Sequence, residues 1–186
     1  QNQYVKCVAQ AITQAIPAQY SANNPSQWEV VVFDSEDVNA FALPGGRIGV
    51  YTGLLKVAKN QDQLAAVIGH EVSHVLAQHS NERLSQSQVA NIGMAAADNI
   101  LKNSTTKGPA MAALGMGVQY GVLMPYSRAH ETEADVLGLQ LMAIAGFNPQ
   151  ESVNLWHNMA ANSKSNAPLE ILSTHPSDQT RINQLQ

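Results

Sequence analysis

The chain has 186 residues, 45% of them hydrophobic and 13% charged, with a formal net charge of −4. This length fits one domain with a sizeable core, and the lack of any Lys/Arg cluster removes the electrostatic basis for nucleic-acid binding. No stretch reaches the ~18 apolar residues of a membrane-spanning helix, and a lone cysteine, Cys7, excludes both an internal disulfide framework and a multi-cysteine metal site.

From Gln3 to Ile16 the sequence predicts an amphipathic helix with Val5, Val8, Ala9, Ile12 and Ile16 on one stripe, stopped by Pro17. Cys7 shares a face with Tyr4, Val8 and Ala11 and is expected to be a buried, inert thiol. Gln1 opens the chain with neither a basic n-region nor an apolar h-region, so the expectation is a processed or trimmed chain, with a cytosolic protein as the alternative. A polar linker, Ser21 to Ser26, leads into a predicted strand from Trp28 to Phe33. Asn39 to Leu43 is a second extended piece, Pro44-Gly45-Gly46 a turn, and Arg47 to Tyr51 the returning strand. Together these predict a small antiparallel sheet with helices on one face. Gly53 to Lys59 begins a short helix.

A strongly helical run follows from Asp62 to His79, and its apolar pattern continues through Val89, Ile92, Met94, Ile100 and Leu101. Asn103 to Gly108 breaks it. From Pro109 to Pro125 the chain is apolar but interrupted by Gln119 and Tyr120, which fits a buried helix, a lid or a docking surface better than a span. Ser127 to Ala145 is again helical, and Gly146 suits the left-handed position that ends such helices. Pro149 to Asn162 predicts another helix, Ser163 to Pro168 a loop, and Pro176 the first position of a last helix bearing Arg181, Ile182 and Leu185. The predicted class is α+β, mostly helical, as a single domain over residues 1–186 with an N-terminal helix at 1–20 and a core at 28–186.

The chemistry centres on His70-Glu71-Val72-Ser73-His74. On a helix, positions i and i+4 share a face, so His70 and His74 can aim two imidazoles at one metal ion. Glu71 stands beside them, able to reach a water on that metal as a general base without being a ligand. The plain alternative is a surface helix that carries two histidines by chance. A catalytic zinc takes a third protein ligand and leaves one position open. In the segment from Tyr126 to Asp135, Glu131 and Asp135 share a face while Glu133 points almost oppositely. Glu131 is therefore assigned to the metal and Asp135 to the free ring N–H of His70 or His74. The competing explanation is that acids suit a helix start.

The developing oxyanion of a hydrolytic reaction needs a further donor, and His175 and Arg128 are the candidates. Arg128, one turn before Glu131, can instead hold Glu131 or Asp135 in place. His175 precedes Pro176 in a loop, where it is an oxyanion donor, a capping or solvent-facing residue, or an imidazole that reaches the open metal position and keeps the protein latent. His79 falls about 140° round the helix from the ligand face and is left out of the ligand set. His130 and His157 are expected at the surface or in packing.

Four motifs in order, His70-Glu71-x-x-His74, Glu131-x-Glu133-Ala134-Asp135, Asn39 to Gly46 and Ser173-Thr174-His175-Pro176-Ser177, resemble the HtpX and CAAX-prenyl-endopeptidase family of gluzincin metallopeptidases. The resemblance runs from about Trp28 to Leu185. Without the spans of the membrane-embedded members, the chain is most similar to the soluble periplasmic bacterial branch of BepA-, LoiP- and YcaL-like proteins. Ser73 departs from the pattern, where a glycine is frequent. The resemblance implies a zincin-like (gluzincin) fold and one Zn2+ per chain, held by His70, His74 and Glu131, with Glu71 as general base and Asp135 in support. It also implies that Asn39, Ala40, Phe41 and Ala42 form an edge strand that binds extended peptide through main-chain hydrogen bonds. The implied activity is endopeptidase cleavage of unfolded or mis-assembled envelope proteins in the periplasm. Its expected partners are outer-membrane proteins or their assembly machinery, with peripheral association at the outer membrane. The alternatives are a chaperone-like assembly factor whose zinc site is latent or regulatory, and a non-catalytic helical protein without metal.

Overall fold

The structure is a computed structural model and describes residues 1–118, 127–165, 169–176 and 179–185. Helix α1 (Asn2–Gln14) buries Val5, Val8, Ala9 and Ile12 and ends ahead of Pro17. Cys7 corrects its expectation: the thiol is exposed, because the buried stripe is centred on Val5, Val8 and Ile12 and leaves position 7 beside it.

Three strands, β1 (Glu29–Phe33), β2 (Ala40–Leu43) and β3 (Arg47–Tyr51), form one sheet in the order β1-β3-β2. β2 and β3 are an antiparallel hairpin, turned by Gly45 and Gly46 at φ of 96° and 89°. β1 lies parallel to β3, in register from Glu29 opposite Arg47 to Phe33 opposite Tyr51. The sheet is therefore mixed, where an antiparallel one was expected. The reason is the connection after Phe33, which carries the chain past the position of β3 before it turns back. On one face Ala40, Ile48 and Val50 enter the core. On the other, Phe33, Phe41 and Tyr51 cluster with ring centroids 5.3–6.4 Å apart, and Gly49 leaves room for the Phe41 ring.

Helix α2 (Gln61–Leu76) is the axis of the molecule, with every residue from Gln63 to Leu76 buried. The Asn60 side chain caps it by accepting the Gln63 N–H at 2.8 Å. It packs against α1, the β2 edge and two later helices, α5 (Arg128–Ile144) and α6 (Glu151–Ser165). α2 ends at Leu76, before His79, and Gln78 then adopts φ 57°, so the predicted long helix is two helices joined at a left-handed corner. Asn23 braces that corner: its amide donates to Leu76 O at 2.9 Å, and its carbonyl accepts from Gln78. Helix α3 (His79–Ile100) then packs on α4 (Lys107–Val118) and leaves Leu84, Val89, Ile92 and Ile100 exposed. The apolar stretch predicted from Pro109 to Pro125 coincides with α4 in its first part, and positions 119–126 lie outside the described residues.

α5 starts at the Ser127 cap, whose hydroxyl accepts the His130 N–H, and is followed by Gly146 at φ 85°. Residues 163–165 extend α6 where a loop was expected, and 166–168 lie outside the described residues. A short helix, α7 (Glu170–Thr174), precedes His175. Pro176 stands outside the last helix, α8 (Gln179–Gln184).

What positions the site is the crossing of α2 and α5. A Cβ on Gly138 would lie 3.0 Å from His70 N and 3.2 Å from Gly69 C, and a Cβ on Gly69 would lie 3.1 Å from Gly138 O. The two helices meet backbone to backbone, one residue from His70. Gly138→Leu is expected to force them apart and destabilise the fold by about 1–3 kcal/mol, read as a lower urea midpoint.

Candidate metal centre

The α2–α5 crossing stacks one turn of each helix against the other. α2 contributes His70, Glu71 and His74, and α5 contributes Glu131 and Asp135. His175, at the end of α7, and Arg181, in α8, close the cluster from the C-terminal side. All seven side chains are buried, Glu131 to 1% exposure.

Glu131 is the hub. Its Oε1 lies 3.2 Å from His74 Nε2 and 2.9 Å from His175 Nδ1. Its Oε2 lies 3.2 Å from His70 Nε2 and 2.8 Å from Arg181 Nη1. His70 Nε2 is 3.0 Å from His74 Nε2 and 3.2 Å from His175 Nδ1. On the far side of the His70 ring, Nδ1 is 2.9 Å from Asp135 Oδ1. Arg181 grips Asp135 through Nε and Nη2, both at 2.8 Å, donates to Pro176 O at 2.7 Å, and stacks on Trp156 at 4.6 Å. Ser73 is accommodated by donating its hydroxyl to Gly69 O at 2.6 Å.

The electrostatics follow from burial and these contacts. Burial alone would raise the Glu131 carboxyl, but hydrogen bonds from His175, His70 and His74 outweigh it and hold the pKa well below the usual carboxylate range. Burial likewise would lower His70, yet its bonds to Asp135 and Glu131 prevail and push it up to about 10. His74 is lowered to about 3, chiefly by burial, with the Glu131 bond opposing and the positive His70 reinforcing. Asp135 is held down against the effect of burial by His70 and Arg181. Glu71 is raised, mainly by burial, with His175 and His70 pulling the other way.

The donor set fits a divalent cation. Three imidazoles and a carboxylate present ligand atoms that all lie within 4.8 Å of one another. The 3.0–3.2 Å separations among His70, His74 and Glu131 approach the ~3.3 Å edge of a tetrahedron with bonds of about 2.0 Å. His175 is the fourth donor, and its Nε2 is also 3.2 Å from Glu71 Oε1. It stands between the ligands and Glu71. The β2 edge meets the same place: the Ala42 backbone donates to Glu71 and lowers its pKa somewhat. Ala40 is buried in the core, Phe41 covers Gly49 on the opposite face, and Asn39 O accepts the Tyr51 N–H.

Other expectations resolve by position. Arg128 is exposed at the first residue of α5, and the guanidinium on Glu131 and Asp135 is that of Arg181. Nothing but a lone arginine among the apolar positions of the last helix signalled this. His157 is exposed; His130 is buried, stacked on His79 at 4.4 Å and 3.0 Å from Glu82 Oε2. His79 lies outside the converging group of His70, His74, Glu131 and His175, but its Nδ1 reaches within 2.8 Å of His74 Nδ1.

The His70 proton gives a pH dependence with a definite sign. Its pKa is raised on folding, so in metal-free protein its contribution is complete below pH 6.5 and is lost as pH rises towards 10. Urea denaturation of chelator-treated protein across that range is expected to show falling stability, and His70→Asn to remove that part of the slope.

The profile of peptidase family M48 matches residues 1–186. Mitochondrial metalloendopeptidase OMA1 of Schizosaccharomyces pombe is 37% identical over 163 residues, covering 86% of this chain and 46% of its own length. The protein of the same name from Saccharomyces cerevisiae is 34% identical, with 84% and 45% covered. The Beta-barrel assembly-enhancing protease of Escherichia coli K12 is 30% identical over 157 residues, with 81% and 32% covered. The chain thus spans less than half the length of these relatives. The profile match along the chain and the identity to these peptidases lead to one assignment: the chain belongs to peptidase family M48.

Proposed function

We propose that this chain carries a zinc endopeptidase site that cuts unfolded or mis-assembled envelope proteins, with His70, His74 and Glu131 holding one Zn2+ and Glu71 as general base. The observation that carries the reading is the buried convergence of two Nε2 atoms and the Glu131 carboxylate within 3.2 Å, with Glu71 alongside. Zinc, when bound, supplies a Lewis acid and an acidified water. Burial raises the Glu71 carboxyl above its ordinary value, which makes its carboxylate a stronger base. Glu71 takes the proton of the attacking water and delivers it to the leaving amine. Asp135 fixes the His70 ring through Nδ1 and is itself fixed by Arg181.

The substrate lies along β2, an outer strand of the sheet whose Ala42 N–H already turns to Glu71. Main-chain pairing to an edge reads extended backbone rather than a particular side chain, which supports unfolded protein as substrate. The Escherichia coli relative's name refers to β-barrel assembly; this supports outer-membrane proteins or their assembly machinery as partners and a periplasmic place, peripheral to the outer membrane. No described helix is long and apolar enough to cross a membrane. The exposed apolar side chains of α3 supply a docking surface for such a partner.

A latent state is favoured by one observation: His175 touches Glu71, Glu131 and His70 together, in the place where water and substrate must enter. On this reading His175 closes the site until its segment moves. A chaperone-like assembly role with the zinc site kept closed is the second reading.

Glu71→Gln is expected to retain near one zinc per chain and to lose about 10²–10⁴-fold in cleavage of a reduced, unfolded protein substrate. Glu131→Ala is expected to lose the metal. Zinc-loaded wild type and His175→Ala that both leave such a substrate intact would overturn the peptidase reading and leave the assembly role. His175→Ala is expected to raise the rate; an unchanged or lower rate refutes latency, and only a lower one assigns His175 to the oxyanion.

A further inference from the structure

His79 is 1% exposed and lies behind the cluster, on the side of His74 away from Glu131. Its Nδ1 is 2.8 Å from His74 Nδ1, and its Nε2 is 3.1 Å from Glu133 Oε2. The His130 ring stacks on it, 4.4 Å away at 28°, and is itself tied through Nε2 to Glu82 Oε2 at 3.0 Å. The inference rests on the metal-site reading above, in which His74 offers its Nε2 lone pair to the cation.

That requirement fixes every proton in the row. With Nε2 committed, the one proton of a neutral His74 ring must sit on Nδ1. The 2.8 Å contact then makes His79 Nδ1 the acceptor. A neutral His79 accepting at Nδ1 carries its own proton on Nε2, and there the Glu133 carboxylate is placed to take it. No other assignment satisfies both contacts while leaving His74 Nε2 open. We propose that His79 is a positioning residue for the metal site, a histidine interposed between the Glu133 carboxylate and the ligand His74 that locks the ligand's tautomer and ring orientation.

The fold places it there through the corner after α2. An unbroken helix would carry His79 about 140° away from the ligand face. The left-handed turn at Gln78 ends α2 and starts α3 with its first side chain directed back at His74. Glu133, which points away from the ligand face of α5, thereby gains a part in the site from behind. Its side chain is 64% exposed, so the row runs from the surface to the cluster. His130 fixes the ring plane of His79 by stacking, independently of the hydrogen bonds.

The test compares His79→Asn with His79→Phe in the full chain, beside wild type and Glu133→Gln. Asn places an amide oxygen near the position of Nδ1 and keeps the acceptor; Phe keeps the volume and the stack on His130 but accepts nothing. Zinc affinity is measured by competition with a chromophoric chelator, and the ligand field by the visible spectrum of the cobalt(II)-substituted protein. His79→Phe is expected to bind zinc about 10–100-fold more weakly than wild type and to shift the cobalt bands. His79→Asn is expected to recover most of that loss, and Glu133→Gln to weaken binding to a smaller degree. A purely packing role predicts the reverse order, with Phe like wild type and Asn impaired, and that result overturns the proposal. Should His79→Phe fail to fold, Asn and Glu133→Gln decide: Asn weaker than Glu133→Gln, or Glu133→Gln equal to wild type, also overturns it. A wild-type protein that binds no zinc refutes the metal-site reading itself, whereas zinc binding unaffected by these changes refutes only the role of His79.

Discussion

The structure is organised around one buried anion. A carboxylate at 1% exposure is costly to hold in a protein interior unless charge and hydrogen bonds replace its water. Glu131 is compensated by four side chains from three elements: His70 and His74 on α2, His175 after α7 and Arg181 on α8. Each compensating group is also tied to something else. Arg181 is shared with Asp135 and Pro176, His70 with Asp135, His74 with His79, and His175 with Glu71. The consequence is mutual: the helices must arrive in register for the anion to be tolerated, and the anion fixes the register of the helices. The glycine contact at 69 and 138 makes this possible, since any side chain there would hold α5 away from α2.

The same arrangement makes the cluster suited to a cation. A cation with short bonds would draw together the same nitrogen and oxygen atoms that lie 2.9–3.2 Å apart here. Metal binding at such a site displaces protons, and so is coupled to pH and to folding. His70 carries the most strongly held of these protons, between Asp135 and Glu131.

The local periodicities made much of this legible in the sequence. The i, i+4 spacing of His70 and His74, and of Glu131 and Asp135, is set by helix geometry alone, so their faces could be read before anything was known of packing. The hairpin at Gly45-Gly46 and the helix stop at Gly146 were legible because only glycine takes those φ values at no steric cost. Three features were not. The parallel partner of β1 depends on where the chain crosses after Phe33, which strand patterning does not encode. The corner at Gln78 uses a residue that rarely adopts a left-handed φ, and it is braced by Asn23 from 55 positions away. Arg181 was placed only on the last helix, with no role; its burial follows from Glu131, Asp135 and Trp156 surrounding it, a purely tertiary fact. Arg128 drew the expectation because it was nearer in sequence.

Arg181 also bears on how His175 can leave. Its Nη1 holds the carbonyl of Pro176, the residue immediately after His175, while its other nitrogens hold Asp135 behind His70. The backbone is therefore pinned directly behind the histidine. A rotation of the His175 side chain opens the space beside Glu71 without touching Asp135, and costs Glu131 only its contact with His175 Nδ1. A displacement of α8 instead withdraws Arg181 and leaves two buried carboxylates short of a cation, which is unfavourable on the same grounds that make the cluster cohere. Rotation of that side chain is the less costly route, because it exchanges only the contacts of one imidazole, whereas a shift of α7 would also pull Ile171 from the core and break its N–H bond to Val38 O. Such a rotation gives up the contact of His175 Nε2 with Glu71, and so releases that carboxylate on the side where the imidazole now stands.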